Sequence, residues 1–193
     1  MINELFDEFI ALSDNLRRDY SISLSKKHID WEKQLYAITP TIPDLYRIIY
    51  SKVSGTQRNI QQQDLMDFIP GYRLIFIEEL ALEKKILDNI LNEVDTSEYY
   101  LILPLLGNYS SDYVCYLKTT FGDEYIGLVM HDSLVVEIMH KSIYDFFMTL
   151  CAFYKNNIYF LDEDGFLDYD FEKEGLIGSS INKNVRYWKD VIN

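Results

Sequence analysis

The chain opens on an amphipathic pattern. Ile2, Leu5, Phe6, Phe9, Leu12 and Leu16 fall three and four residues apart, with polar and acidic residues between them, which predicts a helix with one apolar face. The pattern breaks near Ser21–Ser25. Trp31 and Leu35, four apart, then predict a shorter helical piece from about His28 to Tyr36. Pro43 and Asp44 open a further helix, because proline fits a first turn and a carboxylate suits the positive end of the helix dipole. Leu45, Ile48, Ile49 and Val53 supply its apolar face, and Gly55 its expected stop. Gln57–Asp67 is polar and reads as loop. A turn at Pro70-Gly71 leads to a short strand around Tyr72–Phe76. A helix follows on Leu80, Leu82, Ile86, Leu87, Ile90, Leu91 and Val94, ending near Asp95.

Beyond Glu98 the pattern becomes that of strands. Leu101–Leu105 is a continuous apolar run, as in a strand buried on both faces. Gly107–Asp112 is a turn, Tyr113–Leu117 a strand, and Phe121–Asp123 the next turn. Tyr125–Met130 and Leu134–Met139 are two further strands around His131–Ser133, so an antiparallel meander is predicted. Ser142, with Asp145 three residues on, has the form of a capping box. The helix it opens carries Phe146, Phe147, Leu150, Cys151, Phe153 and Tyr154, is apolar almost all round, and should be buried. Ile158–Phe171 reads as a hairpin turning at Asp164-Gly165, and Val185, Trp188, Val191 and Ile192 predict a short final helix. This order argues for an α+β fold with helices packed on a mainly antiparallel sheet. Residues 1–40 are an N-terminal helical extension or the first helices of the domain, and residues 41–193 the α+β domain itself. Pro104, Asp112 and Ser142 are expected to shape turns and caps rather than touch a ligand.

Composition narrows the function classes. The 193 residues are 48% apolar and 25% charged, which excludes wholesale disorder. Lys plus Arg number 18 and Asp plus Glu 31, a formal charge of −13. Such a field repels phosphate backbones, so no nucleic-acid partner is expected, whereas a basic protein would be attracted. The N-terminus lacks a basic region before an apolar run and does not read as a secretory signal. The apolar stretch Tyr99–Gly107 is far shorter than the roughly 20 residues that span a bilayer, so no membrane partner is expected. Cys115 and Cys151 lie in apolar stretches without CxxC spacing and are expected as buried free thiols of a cytoplasmic protein, with a single disulfide as the alternative.

Recognisable catalytic chemistry is absent from the sequence. The histidines are His28, His131 and His140; a convergence of His131, Asp132 and His140 matches no metal-ligand spacing, and no metal or cofactor is expected. The stretch Asp162-Glu163-Asp164-Gly165 fails as an EF-hand, because with Gly165 sixth the twelfth position is Phe171, which cannot ligate. There is no GxSxG elbow, phosphate loop or dinucleotide fingerprint, so an enzyme is not expected. What remains is charge. From Glu98 to Ile181 there are 14 acidic and 4 basic residues, a net −10 of the total −13. Asp162, Glu163, Asp164, Asp168, Asp170 and Glu172 place six carboxylates within eleven residues, and these are the candidate partner-binding residues. The 16 tyrosines, many in the same half, are residues that enrich binding surfaces.

Four segments in order resemble the SUKH superfamily. IPDLYRIIYSKVSGT (Ile42–Thr56) resembles its opening I-P-x-D-L helix, and FIPGYRLIFIEEL (Phe68–Leu80) its PGYrL strand-to-helix turn. LPLLGNYSSDYVCYL (Leu103–Leu117) resembles its lPl…N…D-y-x-c-l block through Pro104, Asn108, Asp112, Tyr113 and Cys115. KSIYDFFMTL (Lys141–Leu150) resembles its x-S-f-x-x-F-l helix. Where the family often has Gly-Gly-Asp, this chain has Ser110-Ser111-Asp112, and residues 1–40 have no family counterpart. The resemblance implies helices against a curved, mainly antiparallel sheet, no catalytic residues, and the role of many bacterial members: an immunity protein that binds and neutralises a cognate polymorphic toxin, often a nuclease. The alternative is a cytoplasmic regulatory or scaffold domain of the SMI/KNR type that binds a non-toxin protein.

Overall fold

The structure, a computed structural model, describes residues 1–24 and 30–190. His28, Val191 and Ile192 lie outside the described residues.

Helix α1 (Ile2–Leu16) follows the predicted amphipathic face and buries Phe6 and Phe9. A short α2 (Tyr20–Ser23) comes where the pattern breaks, and α3 (Trp31–Tyr36) is capped by Asp30, whose side chain accepts from the Lys33 N–H. Helix α4 (Asp44–Tyr50) ends before Gly55. Gly55 is therefore not the helix stop. Its φ of 91° carries the chain across Ile75, whose carbonyl oxygen would lie 2.4 Å from a Cβ at this position. The polar loop that follows contains one 3-10 turn, Gln63–Leu65, which buries Leu65.

Strand β1 (Arg73–Leu74), helix α5 (Leu80–Leu91) and strands β2 (Tyr99–Gly107), β3 (Tyr113–Thr119), β4 (Glu124–Val129) and β5 (Glu137–His140) follow. The strands pair antiparallel in the order β1-β2-β3-β4-β5, a curled sheet with eight helices against it among the described residues. Register slips at Tyr99/Leu101, Pro104/Leu106 and Ile126/Gly127 help bend it. Pro104 contributes no N–H to the ladder beside its slip, while its carbonyl accepts from the Tyr46 hydroxyl at 2.9 Å. β5 begins at Glu137, three residues later than predicted. Ser133 ties the turn to Val135 through its hydroxyl, leaving Leu134 and Val135 exposed before the strand starts.

Helix α6 (Ile143–Lys155) is buried nearly all round as expected, with Ser142 Oγ accepting from the Asp145 N–H at 3.0 Å. α1 packs on it through Phe6–Phe147 and Phe9–Tyr154, so residues of the first 40 enter the same hydrophobic core as the sheet. Arg17 fastens this junction. It is fully buried, donates to the Asp67 carbonyl and to the Tyr154 hydroxyl, and lies 3.7 Å from the Tyr20 ring centre. Strands β6 (Tyr159–Leu161) and β7 (Leu167–Tyr169) form the predicted hairpin, with Gly165 at φ 85° in its turn.

The hairpin ends sooner than its sequence suggests. Helix α7 (Phe171–Ile181) lies where the pattern marks none, and α8 (Arg186–Asp190) follows. Gly178 explains why α7 can pack: a Cβ there would fall 2.1 Å from the Trp188 ring. Trp188 donates through Nε1 to the Met139 carbonyl at 2.7 Å, which ties α8 to β5. Among the described residues, no helix is long and apolar enough to cross a membrane.

Candidate functional site

The six carboxylates gather at one corner, where the β6–β7 hairpin runs into α7. Pairing of Tyr159 with Tyr169 and of Leu161 with Leu167 places these four side chains on one face, and Phe160 opposite Asp168 on the other. Asp162 builds the turn, its Oδ1 accepting from the Asp164 N–H at 2.9 Å and the Phe166 N–H at 2.8 Å. Glu163 and Asp164 stand exposed at the tip. Asp168 is half-buried and accepts from the Tyr169 N–H at 2.8 Å.

Asp170 corrects the sequence reading, since it caps α7 and does not belong to the hairpin, and Glu172, just past the predicted hairpin, lies in the first turn of the same helix. Asp170 is the N-cap, accepting from the Lys173 N–H at 3.1 Å and pairing with Lys173 Nζ. Hydrogen bonding from Lys173 holds its carboxyl below the usual range. Glu172 is exposed in the first turn. Thus Asp162 and Asp170 serve the backbone, while Glu163, Asp164 and Glu172 form no ion pair among the described residues. Phe160, Phe166, Phe171 and Leu176 are exposed near these carboxylates, so the corner offers apolar contact area beside its charge.

A cavity of about 90 Å³ lies beneath this corner. Val114, Leu128, Phe146 and Trp188 form buried parts of its wall, while Tyr72, Tyr169, Glu174 and Tyr187 are half-buried. Sequence reasoning missed Glu174. Once α7 is known to be a helix, its register gives the signal, because Glu174 shares a face with the buried Gly178 four residues on. Burial pushes the Glu174 carboxyl up to about 7. The same cause pushes Tyr72 up to about 12. His140 offers Glu174 no positive charge near neutrality: burial depresses it to about 4, and its Nδ1 lies 2.9 Å from Asn182 Oδ1.

Asp112 shapes the β2–β3 turn as expected. It accepts from the His131 N–H and the Asn108 side chain, each at 2.9 Å, and lies 2.8 Å from His131 Nδ1. Its partial burial opposes ionisation, but these bonds outweigh it and hold the carboxyl below its usual range. His131 and His140 do not converge: one is exposed beside Asp112, the other buried beside Asn182. Among the described residues, no group of three or more His, Cys, Asp or Glu side chains could hold a metal ion. Cys115 and Cys151 are buried free thiols, and burial raises both, Cys151 to about 11. Compared with known proteins, the chain matches no family model and no curated sequence.

Proposed function

We propose that this chain is a cytoplasmic, non-catalytic immunity protein of the SUKH kind that binds and neutralises a basic toxin, for which a nuclease is the fitting class. The observation that carries the reading is the corner itself, where Glu163, Asp164 and Glu172 stand exposed beside Phe160, Phe166 and Phe171. A nuclease grips phosphate with basic side chains, so an acidic inhibitor is steered to the surface it must block. The exposed aromatic rings add apolar area of the kind that anchors interfaces. The four SUKH-like segments support the same reading.

The test is protection. If a toxin domain is encoded beside this gene, cells expressing that domain should survive when the chain is co-expressed. A chain that neither protects nor forms a complex with that domain would overturn the reading. Recovery of a non-toxin regulator as the stable native partner would favour the scaffold alternative.

A further inference from the structure

The cavity beneath the acidic corner has a chemistry of its own. Its carboxylate, Glu174, forms no hydrogen bond or ion pair with any described residue, and burial alone accounts for its raised protonation. A half-buried carboxylate without a partner is costly to the fold. Four tyrosines, Tyr72, Tyr159, Tyr169 and Tyr187, line the same space. The faces of aromatic rings carry partial negative charge and attract ammonium groups. Size limits the ligand further. At about 90 Å³ the cavity is well below the range of sites for nucleotides and drug-sized molecules, but it can hold a slender alkyl chain with a compact charge.

Position links it to the surface above. Tyr159 and Tyr169 are on the inner face of the hairpin whose outer face carries Phe160 and Asp168. Glu174 lies one turn beyond the cap Asp170, its N–H donating to the Asp170 carbonyl at 2.8 Å. A basic protein held at the acidic corner therefore brings its cations beside the half-buried tyrosines and Glu174. Lysine fits such a site better than arginine, because its charge is compact and its stem thin, whereas guanidinium needs a wide planar slot.

We propose that this cavity is an anchor pocket for one lysine side chain of the basic partner, with the ammonium against Glu174 and the stem across the tyrosine rings. The inference rests on the protein-binding reading above, but its first test needs no partner. The probes are n-butylammonium, n-butanol as its neutral counterpart, and lysine blocked as its Nα-acetyl N-methylamide, each titrated into the full chain and followed by NMR at pH 8.

Both ammonium probes should give saturable shifts centred on Tyr72, Tyr169, Glu174 and Tyr187, and n-butanol should bind at least roughly tenfold more weakly. Glu174→Gln should weaken both ammonium probes by about tenfold or more. Glu163→Gln with Asp164→Asn and Glu172→Gln, which alter only exposed charges, should leave them within about twofold. If butylammonium produces no saturable shift, or if n-butanol binds equally, the pocket is ordinary core packing and the proposal fails while the acidic-corner reading stands. Binding of free butylammonium without blocked lysine would assign the cavity to a small amine and also overturn the proposal. Tyr187→Phe, which removes a hydroxyl and keeps the ring, should retain ammonium binding; its loss would contradict recognition by the ring face.

Discussion

Replacing Arg73 by methionine is expected to destabilise the protein by about 3–5 kcal/mol, because it strips the cation from a buried carboxylate. Arg73 is 4% exposed and Glu83 3% exposed. One Arg73 nitrogen donates to the Thr56 carbonyl at 2.9 Å, and the other lies 2.9 Å from Glu83 Oε1 and 2.7 Å from Glu79 Oε2. Glu83 also accepts from the Tyr113 hydroxyl at 2.7 Å, so the network joins β1, β3 and α5. Without Arg73, the next cation is Arg58, 3.9 Å from Glu83 and partly in solvent. The cost of the single change comes from the stranded charge, so adding Glu83→Gln to Arg73→Met should recover a substantial part of it. Urea unfolding of the two variants checks this. Strictly additive losses would show that charge pairing is not what Arg73 contributes.

Glu174→Gln should act in the opposite direction and stabilise the protein at alkaline pH. The Glu174 carboxyl rises from its ordinary 4.5 to about 7 on folding, so the folded state holds this proton more tightly than the unfolded chain. Its favourable contribution is complete below the unfolded value and is lost as pH climbs through the folded one. Glutamine is neutral throughout. The variant should therefore exceed the parent by about 2–3 kcal/mol at pH 8 and by less than about 1 kcal/mol at pH 5. For a chain of this length the gain at pH 8 corresponds to roughly 5–10 °C in Tm. The other titratable groups lining the cavity, Tyr72, Tyr159, Tyr169, Tyr187 and His140, keep their neutral forms across this window, since burial raises the tyrosines and lowers His140 to about 4. Glu137, which acts on Tyr187, is common to both proteins. Thermal melts at the two pH values make the comparison, and an equal shift at both would contradict a half-buried Glu174 that ionises between them.

These two sites differ in how far the sequence discloses them. The helices of long regular period, α1 and α6, are legible because each hides an apolar face of its own, and Ser142 announces the second of them through a local cap. The hairpin turn at Asp164-Gly165 is legible because it needs a residue at positive φ. α7 is not legible, since Gly175, Gly178, Ser179 and Ser180 are poor helix formers. Its packing depends on a distant residue, Trp188, occupying the space that a side chain at 178 would fill. Leu134 and Val135 mislead in the other direction: they have strand propensity, but a side-chain turn at Ser133 holds them in solvent. The acidic corner is visible in composition. Its division into carboxylates bound to backbone amides, Asp162 in the turn, Asp168 in β7 and Asp170 at the helix cap, and exposed ones, Glu163, Asp164 and Glu172, appears only when the backbone amides around them are placed. The cavity around Glu174 draws on residues from Ile69 to Trp188, and no local pattern records it.

That division fixes how the central claim is tested. Asp162 and Asp170 should be left in place, because changing them disturbs the turn and the helix cap. The measurement is the association rate of the cognate partner with the parent chain and with the Glu163→Gln, Asp164→Asn, Glu172→Gln variant, by stopped flow at low and at high ionic strength. If the corner captures a basic partner, the variant should associate roughly tenfold more slowly at low salt, and the difference should shrink as salt screens the charges. An unchanged association rate at low salt would contradict the account and move the interface elsewhere, with the exposed Leu134 and Val135 beside Glu137 of edge strand β5 the next surface to examine.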